Sequence, residues 1–154
     1  MDRKKDIIVL KLGTSTLMKG SQQISRGKLE DVARQLLKLK EQYDVVIVSS
    51  GAIGVARQFI SLTGKNQIAI KQALAAIGQP QLMRIFQEVF HDFGLHVAQC
   101  LLDYRDFNNQ ESRINTINTV QTLLDNHYIP VINENDTVAT EEIMFGDNDK
   151  LAAL

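Results

Sequence analysis

Val45-Val46-Ile47-Val48-Ser49-Ser50-Gly51-Ala52-Ile53-Gly54 carries a continuous β-branched run straight into a glycine-bearing helix start. Side chains branched at Cβ are stiff and pack well on a pleated surface. Without polar alternation, such a strand is buried on both faces, as in a parallel sheet. The stretch predicts a strand over Val45–Ser49 and a helix over Gly51–Ile60, stopped by Thr63-Gly64. Working outward, Ile7–Leu12 reads as an earlier strand. Ser25 or Arg26 to about Lys40 reads as a helix with Leu29, Val32, Ala33, Leu36 and Leu37 as its apolar positions. Downstream, Asn66–Phe90 is helical in pattern but interrupted by Gly78-Gln79-Pro80. An interior proline costs about 3 kcal/mol, whereas the first turn tolerates one. The pattern predicts two helices, Asn66–Ile77 and Pro80–Phe90, or one with a kink. Leu95–Leu102 is a third strand, and Asn108–Leu124 a helix with Ile114, Ile117, Val120, Leu123 and Leu124 on one side. Tyr128–Ile132 is a fourth strand, and Asn133–Asp149 a polar loop with room for a hairpin around Val138 and Ile143. This alternation predicts an α/β fold: a mostly parallel sheet covered by helices on both faces, with right-handed crossovers.

The 154 residues suit one compact domain, and 44% hydrophobic with 23% charged residues is ordinary globular composition. A formal net charge of -1, with no basic block beyond Arg3-Lys4-Lys5, gives no support for nucleic-acid or membrane partners. Cys100 is the single cysteine, so neither an intrachain disulfide nor a cysteine metal cluster is expected. Its apolar setting reads as core. The apolar Ile7–Leu10 is cut short by Lys11, too soon for a signal core or a membrane span. A soluble, cytoplasmic protein is the expectation. His91, His96 and His127 are scattered without zinc spacing, and no Gly-x-Ser-x-Gly elbow is present.

In open sheets of this kind ligands sit beyond the carboxyl ends of the strands. Polar segments follow all four predicted strands there: Lys11–Thr16, Ser49–Gly54, Asp103–Asn109 and Asn133–Asp149. Lys11-Leu12-Gly13-Thr14-Ser15 offers a cation, a glycine that lets the chain approach a phosphate, and two hydroxyls. It lacks P-loop spacing, and a solvated strand-end lysine is the plainer alternative. Ser49-Ser50-Gly51 enters a helix whose first N–H groups attract anions, though the serines could simply cap it. Asn133-Glu134-Asn135-Asp136 and Gly146-Asp147-Asn148-Asp149 concentrate carboxylates and carboxamides. Carboxylates can accept from a substrate ammonium, and carboxamides can serve an ammonium or a carboxylate. Turn formation alone could also favour these residues. The remainder of a calcium-loop pattern is missing.

Taken together, these motifs resemble the amino acid kinase family, and its glutamate kinase branch in particular. The resemblance rests on Val9–Ser15, Val48–Ile53, Pro130–Val138 and Phe145–Leu151, and runs over essentially the whole chain. It implies a three-layer αβα sandwich and phosphoryl transfer from ATP, with Mg2+, to the γ-carboxylate of L-glutamate. The product would be glutamyl 5-phosphate, the first intermediate of proline synthesis. It implies that Lys11 contacts the phosphates, with Gly13, Thr14, Ser15 and Gly51 around them. Ser50, Gly51, Ala52, Asn133, Asp136, Asp147 and Asn148 would bind substrate, and Asp149 would orient the catalytic lysines. No residue is assigned to a metal. Proline as feedback inhibitor and a homo-oligomeric full-length enzyme are implied as well. Asp136 suits a free ammonium group, which ranks glutamate above acetylglutamate. The family pattern continues for roughly another hundred residues, near the upper end of single domains. Residues 1–154 are therefore expected to be the N-terminal substrate-binding portion of a kinase domain. The nucleotide-binding half, a second lysine and any C-terminal domain would lie outside the chain. By itself this piece would be inactive, a binder of glutamate or proline at most.

Overall fold

A computed structural model of the chain describes residues 5–19, 23–139 and 148–153, with the backbone alone at 19 and 106. Strand β1 (Asp6–Leu12) leads into the short helix α1 (Thr14–Leu17). Strands β2 (Met18–Lys19) and β3 (Gln23–Ile24) pair antiparallel beside it. Then come α2 (Arg26–Leu39), β4 (Tyr43–Ser49), α3 (Ala52–Ala56), α4 (Gln67–His91), β5 (His96–Leu102), α5 (Tyr104–Asn108), α6 (Gln110–Asp125), β6 (Tyr128–Glu134) and α7 (Asp149–Ala153). The order β1-β4-β6-β5 makes one parallel sheet.

Alternate side chains of the central strands serve opposite layers, which is why β4 is apolar throughout. Val45 and Ile47, with Ile129 and Val131 of β6, pack against Leu29, Ala33 and Leu36 of α2 and Leu82, Phe86, Val89 and Phe90 of α4. Val46, Val48 and Ile132 face Tyr104, Leu124 and Leu151 on the other side. The result is the expected αβα sandwich. Pro130 is accommodated in the central strand β6 because its paired register with β4 begins at Val131, opposite Ile47.

Several boundaries differ from the sequence reading. Helix α3 stops at Ala56 rather than Ile60. Helix α4 begins where expected, capped by the Asn66 side chain, which accepts from the N–H groups of Ile68 and Ala69. It then runs unbroken through Pro80, so the two-helix alternative is not what forms. Burial of Leu82, Phe86, Val89 and Phe90, at about 1.5–3 kcal/mol for each large side chain, outweighs a proline cost of about 3 kcal/mol. The segment after β5 is a helix, α5, rather than a polar loop. On α6 the predicted apolar side is largely solvent-facing, with Ile114 and Ile117 exposed and Leu124 buried. Strand β6 extends to Glu134, so Asn133 is a strand residue. Val138 lies in a turn, and Ile143 lies outside the described residues.

The chain leaves β4 toward the α2–α4 layer, where Ala52 and Val55 of α3 are buried. Helix α7 lies in the opposite layer, where Leu151 is buried. In open parallel sheets a ligand crevice lies outside the carboxyl ends of neighbouring strands. Here that crevice lies between Ser49 and Asn133.

Candidate functional site

Asn148, fully buried at 0% exposure, spans this crevice. Its Nδ2 has three acceptors within hydrogen-bonding distance, the Ser49 carbonyl at 2.9 Å, the Ser50 Oγ at 3.2 Å and the Asn133 Oδ1 at 2.7 Å, its two hydrogens being shared among them. One amide thereby ties the end of β4 to the end of β6. The Asn148 Oδ1 is buried without a hydrogen-bond partner among the described residues. The serines do not cap α3. Its cap is Gly51, whose φ of 109° lies where a side chain would be strained. The Ser50 hydroxyl faces Asn148 instead, and the Ser50 N–H donates to the Leu12 carbonyl at 3.1 Å, joining β1 to the same corner.

Lys11, at the end of β1 with its side chain 30% exposed, forms an ion pair with Asp149, the first residue of α7. It is therefore not the freely solvated charge of the plainer alternative. Gly13 caps α1, and its carbonyl accepts from Thr16 and Leu17 N–H. A Cβ built at Gly13 would meet nothing within 4 Å. Thr14 and Ser15 are exposed beside that open space. Asp136 is 6% exposed, and its N–H donates to the Glu134 carbonyl at 3.0 Å. With Gln79, Gln99 and Glu134 it lines an open pocket of about 410 Å³. Asp147 lies outside the described residues.

Three groups that the sequence reading did not single out for function support this arrangement. Tyr104 is buried, and its hydroxyl accepts from the Leu151 N–H at 3.1 Å while Lys150 lies over its ring. The polar stretch after β5 thus anchors the helix that carries Asp149. Gln79 accepts from the Asn133 Nδ2 at 3.0 Å and donates to the Gln99 Oε1 at 3.0 Å. Gly78 touches the backbone of Ala52, the first residue of α3. A glycine and a proline flanking a glutamine inside an otherwise regular helix was the available signal, because broken local rules tend to mark sites with a compensating role. Elsewhere, Arg105 hydrogen-bonds Asp103 and holds its carboxyl below the usual carboxylate range. Burial pushes the half-buried Cys100 thiol up, which suits a packing role. Among the described residues no helix is long and apolar enough to cross a membrane.

The sequence profile of the amino acid kinase family matches residues 6–154. A protein named glutamate 5-kinase from Haemophilus influenzae is 44% identical over 152 residues, covering 97% of this chain. One of the same name from Salmonella paratyphi B is 44% identical over 149 residues, covering 96% of this chain. In both cases the match takes in 41% of the relative, so the chain spans about two fifths of the length of the curated relatives it matches. The crystal structure of UMP kinase from Ureaplasma parvum aligns with a TM-score of 0.54 at 14% identity, over 84% of this chain and 56% of that one. At that identity the likeness concerns the fold alone.

Proposed function

This chain belongs to the amino acid kinase family, and from that premise we propose that it forms the N-terminal, substrate-binding portion of an ATP-dependent glutamate 5-kinase. The acceptor is the γ-carboxylate of L-glutamate and the product glutamyl 5-phosphate, the first intermediate of proline synthesis. The observation that carries this reading is the buried Asn148 amide joining Ser49, Ser50 and Asn133 across the crevice, next to the Lys11–Asp149 pair. The setting is a cytoplasmic, homo-oligomeric enzyme with proline as feedback inhibitor. The remaining nucleotide contacts and a second lysine belong to the length of the relatives that this chain does not span.

A glutamate side chain, with a reference pKa of about 4.3, is already ionised at neutral pH and needs no strong base. The barrier lies in bringing one anion to another, so charge neutralisation and positioning carry the catalysis. Lys11 supplies positive charge at the point of transfer, and Asp149 holds its ammonium there. The open space at Gly13, the exposed Thr14 and Ser15 hydroxyls and the Lys11 charge fit the phosphate end of ATP. When bound, Mg-ATP supplies the transferable phosphoryl group and shields its charge. The backbone N–H groups of Gly13 and Gly51 and the Ser50 hydroxyl orient the reacting oxygens. Asp136 and the buried Asn148 Oδ1 receive the substrate ammonium; Asn133, whose Oδ1 already accepts from Asn148 and the Glu134 N–H, holds Asn148 beside them, with Ala52 and Asp147 completing the surround.

The test is hydroxylamine trapping of an acyl phosphate, with ADP formation, by the full-length protein given glutamate or acetylglutamate. Glutamate is expected to be the better substrate, and a preference for acetylglutamate refutes the substrate assignment. In the same assay Asp136→Ala is expected to raise the glutamate KM by about 30-fold or more, the cost of removing a buried charge partner, with the ATP KM unchanged. An unaltered glutamate KM removes Asp136 from the site.

A further inference from the structure

Four side-chain amides run in an unbroken line from the crevice into the helical layer. Asn148 Nδ2 donates to Asn133 Oδ1 at 2.7 Å, Asn133 Nδ2 to Gln79 Oε1 at 3.0 Å, and Gln79 Nε2 to Gln99 Oε1 at 3.0 Å. An amide can be turned end for end, exchanging its donor and acceptor. Two main-chain groups remove that freedom. The Ser49 carbonyl can only accept, so Asn148 must present Nδ2. The Glu134 N–H can only donate, at 2.9 Å, so Asn133 must present Oδ1. Asn133 Nδ2 then points to Gln79, which must offer Oε1, and the same polarity passes to Gln99. Bonds aligned in this way strengthen one another.

The position of Gln79 is itself unusual. It is 9% exposed, in a helix whose neighbouring inward residues are Leu82, Met83 and Phe86. An amide there costs free energy unless both its ends are bonded, and a leucine would serve packing better. Gly78 beside it brings α4 into backbone contact with Ala52. One turn of α4 therefore contacts α3 through Gly78 and β6 through Gln79. At the other end Gln99 is exposed, in the pocket that Asp136 also lines.

We propose that Gln79 is a positioning residue. The main chain sets which way the Asn133 and Asn148 amides face, and Gln79 clamps the remaining end of Asn133, Nδ2, so that Asn133 and through it Asn148 stay in place where the carboxylate substrate meets them. The proposal rests on the reading of Asn133 and Asn148 as substrate-binding groups.

The test uses Gln79→Leu, Gln79→Glu and Gln99→Leu in the full-length protein, by steady-state kinetics and by NMR of 15N-labelled side-chain amides. Gln79→Leu is expected to raise the glutamate KM about tenfold, the loss of one buried hydrogen bond, with kcat and the ATP KM little changed. Gln79→Glu, which keeps the acceptor for Asn133, recovers most of that loss. In Gln79→Leu the Asn133 and Asn148 amide signals shift and exchange faster with water, while those of the helix caps Asn66 and Asn109 stay in place. A wild-type glutamate KM with unmoved Asn148 signals overturns the proposal. Equal losses in kcat and both KM values, as a general packing defect would produce, also overturn it. Should Gln79→Leu fail to fold, the exposed Gln99→Leu takes its place: a smaller rise in glutamate KM with a shifted Asn133 signal supports the relay, and no change in either defeats it. If the wild-type protein does not phosphorylate glutamate, the functional reading fails by itself. The amide spectra then decide the relay alone.

Discussion

Lys11→Ala in the full-length protein is expected to lower kcat by roughly 100- to 1,000-fold while the glutamate KM stays within about threefold, the pattern of a group that acts on charge developing in the transition state. The reasoning starts from geometry. Lys11 is the penultimate residue of β1, in register with Val48, one residue before the Ser49 corner, so its ammonium reaches the crevice mouth without a flexible loop. Its pairing with Asp149 restrains a side chain that otherwise has many rotamers. Asp149 is in turn held by α7, which is docked through Leu151 and Tyr104. Lys11→Arg tests whether charge alone suffices. A planar guanidinium does not reproduce the compact ammonium, so partial activity at best is expected. Steady-state kinetics with both substrates varied distinguishes the outcomes. A loss confined to glutamate KM would move Lys11 from phosphate chemistry to substrate binding, and unchanged kcat would remove it from catalysis.

The second large effect concerns stability. Gly78→Ala is expected to destabilise the fold by about 3 kcal/mol, at the upper end of overpacking costs, read as a lowered urea midpoint at constant m-value. A Cβ at Gly78 would lie 1.8 Å from the Ala52 carbonyl oxygen and 2.7 Å from its carbon. The obstacle is main chain, so no side chain can rotate out of the way. Either α3 or α4 must shift, yet α4 is wedged by Leu82, Phe86 and Phe90 and α3 by Val55 and Ala56. The shift would also stretch the Gln79–Asn133 contact and disturb the crevice. Gly27 provides the internal control. It lies in α2, exposed, and a Cβ there meets nothing within 4 Å. Gly27→Ala should therefore stabilise by about 0.5–1 kcal/mol through reduced backbone entropy in the unfolded chain. Opposite signs for one chemical change in two helices isolate the packing contact from helix propensity. Equal effects at both positions would show that α3 and α4 do not meet in backbone contact at Gly78.

Local pattern was sufficient for much of this molecule. The β-branched run of β4, the capped helix starts at Ser25 and Asn66 and the alternation of strands with helices are short-range properties, set by sterics, capping and periodicity within a few residues. The same local rules misjudged Asn133, which is poor strand material by propensity yet lies within β6, because pairing with Leu101 of β5 satisfies its backbone. They also assigned Asp103–Asn109 to a ligand-facing loop, whereas Tyr104 folds inward to anchor α7.

By itself the sequence determined the α/β class, the strand-end placement of polar residues and the motifs that mark the amino acid kinase family. Only the tertiary structure decided that Lys11 meets Asp149, that Asn148 joins Ser49, Ser50 and Asn133, and that the Gly78-Gln79-Pro80 interruption is kept inside one helix. The physical reason is range. The cost of a glycine or proline in a helix is local and legible in the chain, but the contacts that offset it come from Ala52, Gln99 and Asn133, which only the folded sheet brings within hydrogen-bonding and van der Waals reach.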